Sequence, residues 1–223
     1  MKKKIVILFY LMALIVPEII CQEMGPLKQG ISIGYDFSGL IVNIFQPTQT
    51  SGEVSVTAGA FKKLYYTVEA GILTIYDRET DFNYFSNGQY IRAGFDYNFY
   101  KRKTPDENNM VFLGLRYGFA TMHHSADNIT IEDNKWGNYT LKQIDDSKVT
   151  AQWLEIAAGI RVELIKNFSM GWSGRVHFLT HLASGSNKPF MIPGFGSGYS
   201  NITLGFNYSL YYTIPLRKYQ AKH

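Results

Sequence analysis

An eight-stranded, antiparallel up-and-down β-barrel with its apolar face outward is the all-β architecture this chain predicts, and three observations predict it. First, residues 199–216 alternate without a break. Ile202, Leu204, Phe206, Tyr208, Leu210, Tyr212 and Ile214 fall on one face; Asn201, Thr203, Gly205, Asn207, Ser209, Tyr211 and Thr213 fall on the other. A soluble strand usually runs about 5–6 residues, whereas a tilted strand needs about 9–11 to cross a bilayer. Second, seven further stretches alternate, and the polar face of every stretch carries a glycine: Gly34, Gly59, Gly71, Gly94, Gly114, Gly159, Gly171 and Gly205. Glycine weakens a strand unless space demands it, and the narrow interior of an eight-stranded barrel makes that demand. Third, the twelve lysines beyond residue 21 avoid the strand centres, which a water-facing sheet would not require.

Taken in order, 31–38 sets Ile31, Ile33, Tyr35 and Phe37 against Ser32, Gly34 and Asp36. A loop with an apolar run at 40–45, then Gln46-Pro47, leads to a weaker strand at 53–61. Lys62-Lys63 turns the chain into 64–76, and the polar, aromatic-dotted loop 77–88 leads into 89–100. Pro105 breaks the segment 101–109, and 110–122 is the fifth strand. The longest irregular segment, 123–151, precedes 152–164. Lys166-Asn167 turns that strand into 168–182, and a Gly- and Pro-rich loop, 183–198, precedes the last strand. Connections thus run long, short, long, medium, long, short, long, the rhythm of a membrane barrel with both termini on the side of the short turns. Leu73 and Ile75 fall on the polar face of the third strand, which a bulge or an early exit from the membrane would explain.

Residues 1–21 read as a cleaved export signal, with Lys2, Lys3 and Lys4 ahead of the apolar run 5–16. A cut after Cys21 leaves 22–223 as a single domain. The alternative, a lipoprotein acylated at Cys21, is weaker because Ile20 stands where a small residue is expected. Without the leader no cysteine remains, so disulfides and thiolate chemistry drop out. The formal charge falls from +4 to +2 once Lys2, Lys3, Lys4 and Glu18 leave, which makes no case for nucleic acid. An export signal ahead of a barrel predicts the bacterial outer membrane. No other apolar run approaches the length of a membrane helix, so crossing falls to strands.

The polar faces carry Asp36, Glu69, Asp96, Glu155 and Glu163 together with Arg92, Arg116, Arg161 and Arg175. This set is expected to neutralise itself as an ion-paired rod inside the barrel, because unpaired charge there would be costly. The other faces are rich in Tyr, Phe and Trp, as hydrocarbon and its interfaces require. Bases gather at the short-turn end, among them Lys62, Lys63, Lys101 and Lys166. Acids gather in the long loops, among them Asp77, Asp127, Glu132 and Asp146.

An open pore is not expected, since side chains fill so narrow a lumen. A lipid hydrolase or acyltransferase is one alternative: Ser169, Ser173, His177 and His181 share a face of the seventh strand, with Glu155 and Glu163 on its neighbour. The inward register favours polar filling instead, so no catalytic residue is expected. His123-His124 has no carboxylate or cysteine at ligand spacing, so neither metal nor cofactor is expected. The loops carry the stronger signal. Leu40, Ile41, Val42, Ile44 and Phe45, then Phe82, Tyr84 and Phe85, then Phe190, Ile192 and Phe195 are too apolar for idle connections. They predict docking of a protein partner in the cell envelope, beside the outer-membrane lipid that surrounds the wall. The competing account has these clusters packing on one another, and a third reading is a surface adhesin or ligand binder acting through 127–148.

Several runs carry a family resemblance: Asp96-Tyr97-Asn98, Arg116-Tyr117-Gly118-Phe119, Asp127-Asn128-Ile129, Lys166-Asn167-Phe168, Met170-Gly171-Trp172-Ser173, Ile192-Pro193-Gly194-Phe195-Gly196 and Gly205-Phe206-Asn207-Tyr208-Ser209. Together they resemble an uncharacterised family of small outer-membrane barrels from Bacteroidota that carries a domain-of-unknown-function label, strongest from residue 86 onward. More distantly, the pattern is similar to OmpX- and OmpA-type barrels. The resemblance implies an outer-membrane location, no catalytic residue, and service as an accessory subunit of an envelope machine such as the barrel-insertion complex. Residues 218–223 extend past the last strand, where many such barrels end on an aromatic residue.

Overall fold

The computed structural model describes residues 30–45, 47–60, 63–78, 83–101, 109–127, 129–131, 139–141, 144–184 and 187–215. Residues 1–21, expected as an export signal, Phe82, residues 218–223 and much of 127–148 lie outside the described residues. Strand β1 (Ile31–Asp36) leads into helix α1 (Ser38–Phe45), then β2 (Gln49–Gly59), β3 (Leu64–Arg78), β4 (Asn83–Asn98) and β5 (Met110–Asp127). A ribbon of β6 (Ile129–Ile131) and β7 (Tyr139–Leu141) precedes β8 (Ile144–Ile165) and β9 (Phe168–Ala183). A small hairpin, β10 (Met191–Ile192) with β11 (Gly196–Ser197), precedes β12 (Ile202–Ile214).

Eight of these strands close a barrel in the order β1-β12-β9-β8-β5-β4-β3-β2. Closure is antiparallel between first and last strands, from Ile31 opposite Ile214 to Asp36 opposite Ser209, so the barrel itself has no open edge. The alternation read from sequence sorts the side chains. On the outer wall Leu113 is 48% and Leu204 81% exposed, whereas Trp153 and Glu155 inside are 0% exposed. A wall that is oily outside and ionic inside is the inverse of a water-soluble barrel, and it defines a transmembrane one. On β5 the outward face is apolar over residues 111–119 and turns polar at Thr121. At about 3.3 Å per residue and a tilt near 40°, that band is ~23 Å tall, close to the ~25 Å of a membrane barrel. Among the described residues no helix is long and apolar enough to cross a membrane, so the strands do the crossing.

The strands run further than apolar periodicity predicts. β3, β4, β5 and β8 continue into the segments expected as loops at 77–88 and 123–151, with Asp77 paired to Tyr84 and Asn83 to Asp127. Backbone pairing persists above the apolar band because a ladder needs only N–H and C=O groups. The first strand instead stops two residues early. Ser38 donates its N–H to Asp36 Oδ1 at 2.7 Å, and the N–H groups of Leu40 and Ile41 reach the Phe37 carbonyl at 3.0 and 3.3 Å. These bonds satisfy the orphan donors of a helix start, so α1 replaces the expected loop. Leu73 and Ile75 need no bulge: register is unbroken along β3, and both are buried toward the barrel mouth.

Candidate functional site

The lumen is filled in three layers. The lowest is apolar, with Tyr65, Met110, Phe112 and Ala157 in one cluster. Near it the Arg161 guanidinium stacks 3.6 Å above the Tyr211 ring.

The middle layer is a cluster of charges brought together by six strands. Glu155 of β8 lies at its centre: Oε2 is 3.0 Å from Arg92 Nη1, and Oε1 is 3.1 Å from Arg116 Nη1 and 3.3 Å from Arg175 Nη1. Arg116 holds both Asp96 oxygens from Nη2 alone, at 2.9 and 3.0 Å, while Arg175 grips Glu69 in a two-pronged pair at 2.8 and 3.0 Å. This fork-to-fork geometry is the arrangement in which buried ion pairs repay their desolvation. Glu53 of β2 completes the set, bonded to Arg92 and to the Tyr90 hydroxyl and 3.5 Å from Arg175.

Four carboxylates thus face three guanidiniums, and an imidazole lies beside them. His177 Nδ1 lies 2.9 Å from the Phe195 carbonyl oxygen, while Nε2 lies 3.2 Å from Glu155 Oε2.

The upper layer is a plug. The β10–β11 hairpin folds inward, so that Ile192 and Phe195 are each 1% exposed. They pack with Met122, Val149, Ala151 and Trp153 in one buried cluster, the Phe195 and Trp153 ring centroids 5.8 Å apart. The hairpin turns tightly through Gly194 (φ 71°) and Gly196 (φ 113°), a left-handed backbone that favours glycine. The Gly194 carbonyl reaches Arg92 Nη1 at 3.5 Å, and Thr203 donates its hydroxyl to the Phe195 carbonyl. The plug is therefore bonded to the ionic layer beneath it.

Several expected site residues are placed differently. Asp36 is outside the arginine cluster; it starts α1 and accepts from the Asn207 amide. Glu163 lies near the short-turn end, where its carboxylate accepts the Asn167 N–H at 2.8 Å. Arg161 stacks on an aromatic ring rather than joining the cluster. Glu53 belongs to the cluster although the sequence presents it only as the start of a weak strand; its parity with Ser55, Thr57 and Gly59 is the signal that could have found it. Among the lumen glycines, a Cβ on Gly71 would meet the Tyr90 ring at 2.5 Å and one on Gly159 the Trp172 carbonyl oxygen at 2.5 Å. Gly34, Gly94, Gly114, Gly171 and Gly205 are similarly crowded, while Gly59 ends β2, half-buried.

The hydrolase constellation does not assemble. Ser173 and His177 are four residues apart on one strand, about 13 Å at 3.3 Å per residue, and Ser173 Oγ instead accepts from Arg175. A register shift opposite Gln152 and Trp153 turns His181 outward. The docking clusters divide. Leu40, Ile41, Val42, Ile44 and Phe45 of α1 are exposed, as are Phe85 and Phe190, and Tyr84 is half-buried. Ile192 and Phe195 are inside the plug and are not presented to a partner, because their apolar surface fills the barrel mouth.

Solved structures of several outer-membrane proteins share this outline. A major outer membrane protein from Thermus thermophilus is 14% identical over 82% of this chain and 98% of its own, with a TM-score of 0.49. CarO from Acinetobacter baumannii is 10% identical over 86% and 100%, with a TM-score of 0.41. Neisserial surface protein A is 10% identical over 83% and 95%, with a TM-score of 0.36. At these scores the likenesses carry no argument about function. No curated protein matches the chain. The sequence profile of one family does match, across residues 19–219, and the chain therefore belongs to that family, described as a domain of unknown function (DUF6048).

Proposed function

We propose that the protein is an integral barrel of the bacterial outer membrane and a non-enzymatic scaffold or accessory subunit of an envelope complex, acting through its outer surfaces. The observation that carries this reading is the filled lumen: among the described residues the plug and the ionic layer occupy the interior of the barrel. The apolar wall supports the membrane location. Helix α1 supports docking, because an apolar helix with no buried residue is surface left for something else to cover.

Purification from the native envelope in mild detergent tests the reading. A stoichiometric companion protein is expected, with the barrel-insertion complex the first candidate on family resemblance. A barrel that always purifies alone contradicts it.

A further inference from the structure

A groove of about 690 Å³ opens on the outer wall across β1 to β5. Its floor is low because Gly52 and Ala70 occupy outward positions where the neighbouring strands carry large side chains. Gly52 stands opposite Ile72, and Ala70 stands between Val54 and Ile91. These three side chains, with Tyr35 and Phe119, form the walls, and each is exposed. The charged end of Glu53 and the ring of Tyr90 behind the floor face the lumen cluster, so the groove itself presents no outward charge.

The upper end of the groove is polar. Gln89 and Thr121 face one another across β4 and β5 there. Just above, the Asn87 amide donates to the Thr74 hydroxyl at 2.9 Å, part of the collar where the outward face leaves hydrocarbon. Helix α1 is fixed to the same sector, with the Asn43 amide donating to the Gln49 carbonyl at 2.7 Å, and its exposed Leu40, Ile41 and Ile44 extend the apolar surface.

We infer that this groove is a binding site for one acyl chain of a membrane glycerophospholipid, with the ester end at the Gln89–Thr121 collar and the chain lying over Gly52 and Ala70. The volume falls within the ~300–1,000 Å³ of ligand sites, and an uncharged apolar trough opening on the lipid-facing wall is continuous with the barrel's interface with the bilayer. The inference rests on the membrane-embedded reading above, which flotation of the protein with vesicles checks separately.

The test uses the full-length protein in vesicles of dioleoylphosphatidylcholine and dioleoylphosphatidylethanolamine, doped with a phosphatidylcholine that carries a diazirine in its acyl tail. After irradiation, labelled peptides are mapped by mass spectrometry. Several-fold enrichment on Val54, Ile72 and Ile91 over Ile156 and Trp172 of the opposite wall is expected. Ala70→Phe, which fills the trough, is expected to abolish the enrichment, while Leu204→Phe on the far wall leaves it intact. Both changes point outward, and heat-modifiable migration in gels verifies the fold of each. Even labelling around the wall, enrichment that survives Ala70→Phe, or a protein–protein crosslink occupying the trough overturns the inference.

Discussion

Glu155 meets three guanidiniums and an imidazole within 3.3 Å while fully buried, so the charge balance of the lumen turns on one side chain. Glu155→Gln keeps the shape but takes a charged acceptor away from Arg92, Arg116 and Arg175. It is expected to lower unfolding stability in detergent by about 3–5 kcal/mol, the usual cost of breaking a buried pair from one side. Glycines give a second contrast. A Cβ on Gly94 would sit on the Leu115 carbonyl oxygen, whereas one on outward-facing Gly174 meets nothing within 4 Å. Gly94→Ala is expected to destabilise by ~1–3 kcal/mol through overpacking, and Gly174→Ala to be neutral or stabilising by up to ~1 kcal/mol, read by urea unfolding in vesicles. Parity makes most lumen positions legible in the sequence, because an inward residue stays inward wherever the ladder is unbroken. It cannot show which inward charges share a height, which is why parity alone groups Asp36, Arg161 and Glu163 with a cluster that instead takes in Glu53.

Two elements escape periodicity for physical reasons. The plug segment reads as a Gly- and Pro-rich loop with stray aromatics, and only a finished lumen with Trp153 and Met122 on its wall gives Ile192 and Phe195 something to fill. Phe195→Ala removes the buried ring that packs on Trp153 while leaving the Phe195 carbonyl to His177 and Thr203. Faster hydrogen exchange at the amides of 191–197, with strand protection unchanged, is expected; loss of protection throughout the barrel would show that plug and wall are one unit. Helix α1 is held by its end bonds rather than by an amphipathic stripe, so its apolar run carries no helical signal. None of its residues is buried, so Phe45→Asp should leave heat-modifiable migration unchanged and reduce recovery of the companion protein in mild detergent. Equal recovery would remove α1 from the docking surface.

The architecture as a whole is legible because one rule, alternation sustained past soluble length with glycine and paired charge on the polar face, repeats around the wall and is closed by β1 on β12. Its layered filling predicts an electrically silent molecule: planar bilayers should show no steady conductance above background, and stable channel steps would mean that the plug opens. Tryptophan fluorescence in vesicles of tail-brominated phosphatidylcholine probes the account at its root. The chain has three tryptophans; Trp172 stands 44% exposed on the outer wall and Trp153 is fully buried inside. A variant retaining only Trp172 should be strongly quenched by the brominated tails, and one retaining only Trp153 should be barely affected. An unquenched Trp172, or equal quenching of both, would contradict a barrel with lipid outside and ions within.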